Sequence, residues 1–334
     1  MGGAAACRPR RGLVLGGGGV LGGTWAIGAL AALEQAHGFR AGECDVIVGT
    51  SAGSVLAALL GGGVTVEQLR QHYSEEAVTE GPLAGYDFDP VRTTGGHRPA
   101  MPRQLGPGSP RLIGSTLRRI GRVPATTLLS GFMPEGARTL DRVGHLIDAV
   151  TPMGEWSGHP GVWIVAMDYE DGKRVVFGRP GSPVVPLADA VMASCAIPGW
   201  FAPVPIRGRT YIDGGAVSAT SIDVVEHAGL DEVYVVAPMV SYAMDRPSGL
   251  THRLERRWRA EVTKAAIREA GIVRATGTPV RMIGPGPEDL AAIGANLMDG
   301  ARIRNVLETS LRTSAQAWSA ADSQVTEHEQ AASG

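Results

Sequence analysis

The sequence predicts an α/β layered domain built on a mainly parallel sheet. Short apolar runs with strand character alternate with helical runs along most of the chain, and glycine clusters sit where a strand passes into a helix. At 334 residues, 44% hydrophobic and 19% charged, the chain is long enough for one large domain or two ordinary ones with a real core.

The elements follow in order. "GLVLG" (12–16) reads as a short buried strand, and 22–37 as a helix with Ala and Leu on its inner face. "DVIVGT" (45–50) is a second strand and 52–60 a second helix. Further strands are expected at 162–169, 173–178, 210–213, 232–238 and 279–284, and further helices at 139–150, 186–195, 220–228, 251–273 and 299–320. No repeat of fixed period is present. A catalytic domain is expected over 10–285, carrying a cap insertion at about 82–135. After it comes a C-terminal helical segment, 286–334, with a polar tail expected to be disordered.

Several function classes are disfavoured at this level. The net charge of −2 gives no bulk attraction to nucleic acid. Cys7, Cys44 and Cys195 are too few and scattered for a disulfide framework, and no CxxC or Cys/His cluster points to zinc. The stretches 12–33 and 46–66 are uncharged and long enough to span a bilayer. Both are loaded with glycine and interrupted by turn chemistry, so a buried strand, a glycine loop and a buried helix are expected instead. "MGGAAACRPRRG" lacks the apolar core of a signal peptide, and a reducing cytoplasm is the expected compartment.

Residues 90–134 stand apart. They contain no Asp or Glu and seven arginines: Arg92, Arg98, Arg103, Arg111, Arg118, Arg119 and Arg122. A solvated loop is one reading. The other is a cationic surface peripheral to an anionic membrane, where each basic group is worth about 1 kcal/mol. Arg118, Arg119 and Arg122 are the membrane-contact candidates, because "LIGSTLRRIGRV" also supplies apolar residues.

Three motifs carry chemistry. Gly49-Thr50-Ser51-Ala52-Gly53 matches G-x-S-x-G between an apolar strand and an apolar helix. That is the pattern of a nucleophile elbow, in which small neighbours let a strained turn close and hold the serine oxygen out. A helix N-cap serine is the alternative. Ser54 is a poorer candidate, lying inside the helix. The second motif is "GLVLGGGGVLGG", where backbone N–H groups can converge on an anion without obstruction by side chains. Gly17, Gly18, Gly19, Val20, Leu21 and Gly22 are the oxyanion-hole candidates. Gly17-x-Gly19-x-x-Gly22 also fits a dinucleotide fingerprint, but Glu43 and Asp45 fall at the wrong end of the second strand to hold a ribose. The third motif is "TYIDGGA". Asp213 ends an apolar strand and is followed by Gly214 and Gly215, which suits a catalytic base and equally an Asx-turn. None of the eight histidines sits in a convincing site. Cys195, among small neighbours, is expected to be a buried structural thiol.

"GGGVLG" (17–22), "GTSAG" (49–53) and "DGG" (213–215), in this order, resemble the patatin-like phospholipases, as does the run "ASCAIPGWFAPVPIRGRTYIDGG" (193–215). The resemblance spans about residues 12–240. It implies a three-layer α/β/α fold and a Ser–Asp dyad, with Ser51 as nucleophile, Asp213 as base and amides around Gly18, Gly19 and Val20 as the oxyanion hole. It further implies a lipid or other acyl ester as substrate, with no metal or cofactor. Leu21 stands where the family often has Arg or Lys, which puts phosphate-bearing substrates in question. An acyltransferase or carboxylesterase on the same dyad, and a non-catalytic lipid- or protein-binding module, are the alternatives. The sequence leaves the oligomeric state open.

Overall fold

Strands that are apolar on both faces have to lie between two layers, because neither face can be left to water. The computed structural model describes residues 8–86, 89–93, 99–102, 106–119, 121 and 123–333 and places the strands that way. They are β1 (Arg11–Leu15), β2 (Val46–Thr50), β3 (Val162–Asp168), β4 (Arg174–Phe177), β5 (Val204–Ile206), β6 (Arg209–Asp213), β7 (Glu232–Val236) and β8 (Val280–Ile283). The sheet order is β5-β6-β3-β2-β1-β7-β8, with β4 also paired to β3. β3, β2, β1, β7 and β8 run parallel, while β4 and β6 are antiparallel to β3.

The helices are α1 (Gly19–His37), α2 (Ala52–Gly61), α3 (Val66–Tyr73), α4 (Pro90–Thr93), α5 (Pro110–Leu117), α6 (Ala125–Phe132), α7 (Asp141–Asp148), α8 (Leu187–Cys195), α9 (Leu250–Arg274), α10 (Pro287–Ile293) and α11 (Ile303–Ser333). Alternate strand residues feed two cores. Leu13, Leu15, Ile47, Ile164 and Tyr234 pack with α1, α2, α8 and α11. Val14, Val46, Val48, Val165, Val233 and Val235 pack on the opposite face with α9 and a single 3-10 turn, Ile222–Val225. The architecture is therefore a three-layer α/β/α sandwich. Among the described residues no helix is long and apolar enough to cross a membrane.

The structure departs from the sequence expectation in several places. The helix expected at 220–228 is only that 3-10 turn, since Glu269 of α9 bonds Ser218, Thr220 and the Ile222 amide and fixes a turn there. α3 was not expected; Thr65 and Gln68 form a reciprocal capping box at its start. The insertion contains α5 and α6, which sit against the end of the sheet through Leu112, Met167, Tyr169 and Ile212. The Thr126 and Thr127 hydroxyls of α6 donate to the Ala216 carbonyl, so this segment is tied to the turn after β6.

The polar tail expected to be disordered continues as helix to Ser333, in keeping with its Ala, Glu and Gln content. The C-terminal helical segment packs into the core. Trp318 is fully buried and its Nε1 donates to the Ala29 carbonyl at 2.9 Å. Ser310 Oγ donates to the Trp25 carbonyl at 2.6 Å, and the lack of a side chain at Gly28 leaves room for Ser310. Trp318→Ala is expected to lower unfolding free energy by about 3–5 kcal/mol in urea titrations, as for other large core truncations. A loss below about 1 kcal/mol would mean that α11 is an accessory to the core.

Candidate active site

The register of β3 brings the sequence motifs together. β2 ends with Thr50 opposite Val165. β4 occupies the other edge of β3 from Ile164 to Met167. β6 therefore joins the edge that β2 has left, antiparallel, with Asp213 opposite Ala166. The two strands meet end to end, and Ser51 and Asp213, 162 positions apart in the chain, come to line the same cavity.

Ser51 has φ 53° and ψ −125°, a conformation that costs a non-glycine residue about 1–3 kcal/mol. Its hydroxyl makes no capping bond to α2, so the N-cap reading does not describe it. The turn closes only without side chains at 49 and 53. A Cβ on Gly53 would lie 2.1 Å from the Leu15 carbonyl oxygen, and one on Gly49 2.5 Å from the Gly53 oxygen. Thr50 is fully buried and Ala52 begins α2. The Ser51 amide donates to Ser194 Oγ at 2.9 Å, and Ser194 Oγ donates in turn to the Val165 carbonyl at 2.6 Å. Ser194 thus ties the turn to β3. Sequence reading missed it, although it stands beside Cys195 in a run that was singled out.

Asp213 is buried, and its amide donates to the Ala196 carbonyl at 3.0 Å. Its Oδ1 accepts from the Gly215 amide at 2.7 Å, so the Asx-turn reading holds alongside any chemical one. Gly214 passes against β3, where a Cβ would lie 2.5 Å from the Val165 oxygen. Burial pushes the Asp213 carboxyl up to about 6, against the opposing pull of the Ser51 hydroxyl and the Gly215 amide.

The glycine loop is narrower in its chemistry than the motif implied. The amide of Gly17 donates to the Ala219 carbonyl, that of Leu21 to Leu297 and that of Gly22 to Gly18. These three are committed and are withdrawn as anion donors. Among the described residues the amides of Gly18, Gly19 and Val20 have no such carbonyl partner, because they begin α1, where the first N–H groups lack an intrahelical acceptor. The loop lies against the serine: a Cβ on Gly17 would be 3.1 Å from Ser51 Cβ. Leu21 is wholly buried in the core, so its position carries no group into the site.

Two apolar cavities meet at Ser51. The wide one, of about 370 Å³, is lined by Gly17–Gly19, Ser51, Asp213, residues of α6, Trp200, Trp258 and the 295–298 loop. The narrow one, of about 60 Å³, runs beside Ala52, Val55, Tyr73, Leu140, Cys195 and Phe201. No histidine among the described residues lines either; His97 lies outside the described residues. Cys195 is buried, its Sγ 3.3 Å from the Ser51 carbonyl oxygen. Burial and the Asp213 charge push its thiol up to about 12, the state of a structural cysteine. No group of three or more His, Cys, Asp or Glu side chains among the described residues has the arrangement to hold a metal.

Of the arginines singled out in the insertion, Arg119 is half-buried and bonds the Ser115 and Asp171 carbonyls, whereas Arg118 is exposed. Arg98, Arg103 and Arg122 lie outside the described residues, as does the side chain of Arg92. Arg111 pairs with Glu170 at 3.0 Å.

The fold and this turn define a class: a three-layer α/β/α protein with a strained serine at the carboxyl end of a parallel sheet. A family model described as patatin-like phospholipase matches residues 13–225, more than half of the chain, and the chain belongs to that family. Membership makes it, by class, a lipid acyl hydrolase. Among solved structures, VipD from Legionella pneumophila is similar at 14% identity and a TM-score of 0.39, over 91% of this chain and 68% of that one. The type III effector protein ExoU is similar at 16% identity and a TM-score of 0.33, over 94% of this chain and 53% of that one.

Two outcomes follow from the geometry. Ser51→Gly is expected to be about 1 kcal/mol more stable than Ser51→Ala in thermal melts, since only glycine relieves the positive φ; equal stability would mean the turn is unstrained. Asp213→Asn tests burial of the carboxylate. A raised carboxyl pKa means that folding favours the protonated form, so the benefit is present at low pH and lost as pH rises through about 6. The Asn variant should therefore exceed wild type by roughly 1–3 kcal/mol at pH 8, and the gap should close as pH falls towards 4.

Proposed function

We propose that the chain cleaves carboxylic esters of lipids through Ser51 as nucleophile and Asp213 as base. The observation that carries this is the end-to-end meeting of β2 and β6, which sets a strained serine against a buried carboxylate. Ser51 Oγ attacks the acyl carbonyl and its proton passes to Asp213. The oxygen that gains charge rests on the amides of Gly18, Gly19 and Val20, at the positive end of α1. The tetrahedral intermediate collapses, and Asp213 returns the proton to the departing alcohol. Water, deprotonated by Asp213, then attacks the acyl-enzyme, and Asp213 passes that proton to the departing Ser51 Oγ as the fatty acid is released. The wide apolar chamber supports an acyl chain as the group that is held, and the segment at 82–135 acts as its cap, with α6 forming one wall.

A fluorophosphonate probe should label the wild-type protein at Ser51 only. Ser51→Ala and Asp213→Asn should each lose about 10³-fold or more in hydrolysis of a chromogenic acyl ester, because members of a coupled pair fail together. Wild-type turnover should fall as pH drops through about 6, where Asp213 takes up its proton. Activity of Asp213→Asn within tenfold of wild type, or a histidine variant as inactive as Ser51→Ala, would overturn the dyad.

A further inference from the structure

The first half of α9 carries a line of apolar side chains that the fold leaves uncovered. Leu250, Leu254 and Trp258 are spaced four residues apart, on one side of the helix, and are 83%, 68% and 45% exposed. Single exposed leucines are ordinary; three in register on one helix form a patch. The opposite side of the same turns is anchored by buried ion pairs. Arg256 holds Asp245, Glu255 and the Leu290 carbonyl, and Arg259 holds Glu255 and the Pro238 carbonyl. The helix is thus fixed with the apolar line outward.

The guanidinium groups around that line are not matched by free carboxylates. Arg246, Arg253 and Arg257 are exposed, and none of them has a carboxylate partner among the described residues. The acids nearby are already engaged, Asp245 and Glu255 by Arg256 and Arg259, and Glu261 by Lys264 at 2.8 Å. Arg253 donates only to the Pro247 carbonyl. α6, which also lines the wide chamber, leaves Leu129 and Phe132 exposed. Leu129 from one side and Trp258 from the other both line the chamber that ends at Ser51. The chamber thus carries exposed apolar residues from both α6 and α9, the latter beside guanidinium groups that lack a carboxylate partner.

We propose that this face docks on an anionic lipid bilayer, with Leu250, Leu254 and Trp258 at the headgroup–acyl boundary and Arg246, Arg253 and Arg257 among the phosphates. The arrangement is that of an interfacial helix: apolar side chains enter the boundary, and arginines keep their stems on it and their heads in the charged layer. A protein seated here would seal the mouth of the chamber, whereas a bilayer presents acyl chains to it. The inference goes beyond the esterase reading, and the choice of a bilayer as occupant rests in part on that reading. It places the membrane contact on α9 and the α6 rim in place of the insertion's arginines.

The test uses the full chain carrying Ser51→Ala, so that vesicles are not consumed, and co-sedimentation with vesicles of phosphatidylcholine alone or with about one-third phosphatidylglycerol. Binding should favour the anionic vesicles and weaken with added salt. Leu250→Glu with Leu254→Glu should reduce it about tenfold or more, and Arg253→Gln with Arg257→Gln should reduce the anionic preference while leaving the thermal melt unchanged. With Ser51 intact, both pairs of substitutions should hydrolyse a soluble short-chain ester within about twofold of the parent. Vesicle binding by a parent protein that hydrolyses no ester would uphold the docking face and remove the esterase reading instead. Equal binding by parent and both variants would overturn the proposal. So would loss of binding in Arg118→Gln with Arg119→Gln but in neither α9 variant. A parent dimer that the leucine variant converts to monomer, with vesicle binding unchanged, would reassign the face to a second copy of the chain.

Discussion

The closeness of two backbones governs this site. Between β2 and α2 the chain passes so near the end of β1 that a single methyl group at residue 53 would overlap the Leu15 carbonyl. A second close pass at Gly49 lets the turn fold back on itself. Within that passage Ser51 is driven to a positive φ, and the strain persists because its surroundings leave no alternative. Its amide is held by Ser194, and its carbonyl by Ser54 Oγ at 2.6 Å and by the Cys195 thiol. All three holding groups lie in the layer above the sheet, so the packing of α2 against α8 and the shape of the turn are one constraint.

The same layer sets the electrostatics. A carboxylate beside an exposed serine would be solvated and weakly basic. Asp213 is buried and its carboxyl accepts from the Gly215 amide, and burial outweighs that bond and the nearby Ser51 hydroxyl, so its proton affinity rises to about 6. The insertion contributes here: α6 bonds the Ala216 carbonyl and leans over the turn that carries Asp213. Within the insertion, whose composition left a solvated loop open, α6 lines the wide chamber.

Residues beyond the stretch matched by the family model also complete the site. The carbonyl of Leu297 accepts the Leu21 amide, and Met298 borders both cavities. This contact explains why the glycine loop offers fewer free donors than its sequence suggests. The 295–298 loop is itself placed by α10 and α11, and α11 by Trp318 and Ser310 on α1. The C-terminal helix therefore steadies the loop that borders both cavities.

The sequence by itself determined the layered α/β class, the tight turn at Ser51 and the aspartate at the end of a strand. Each is a local matter: apolar runs with two buried faces, small residues where a turn must close, and a carboxylate followed by two glycines. It did not decide which amides remain free, because Gly17 and Leu21 lose theirs to Ala219 and Leu297, whose positions depend on distant parts of the chain. It did not reveal Ser194, whose hydroxyl matters only once β3 and the elbow are side by side. Nor could it set Asp213 against Ser51. That juxtaposition arises from β6 taking the edge of β3 that β2 vacates, and strand register is fixed by packing across the whole sheet, not by any one segment.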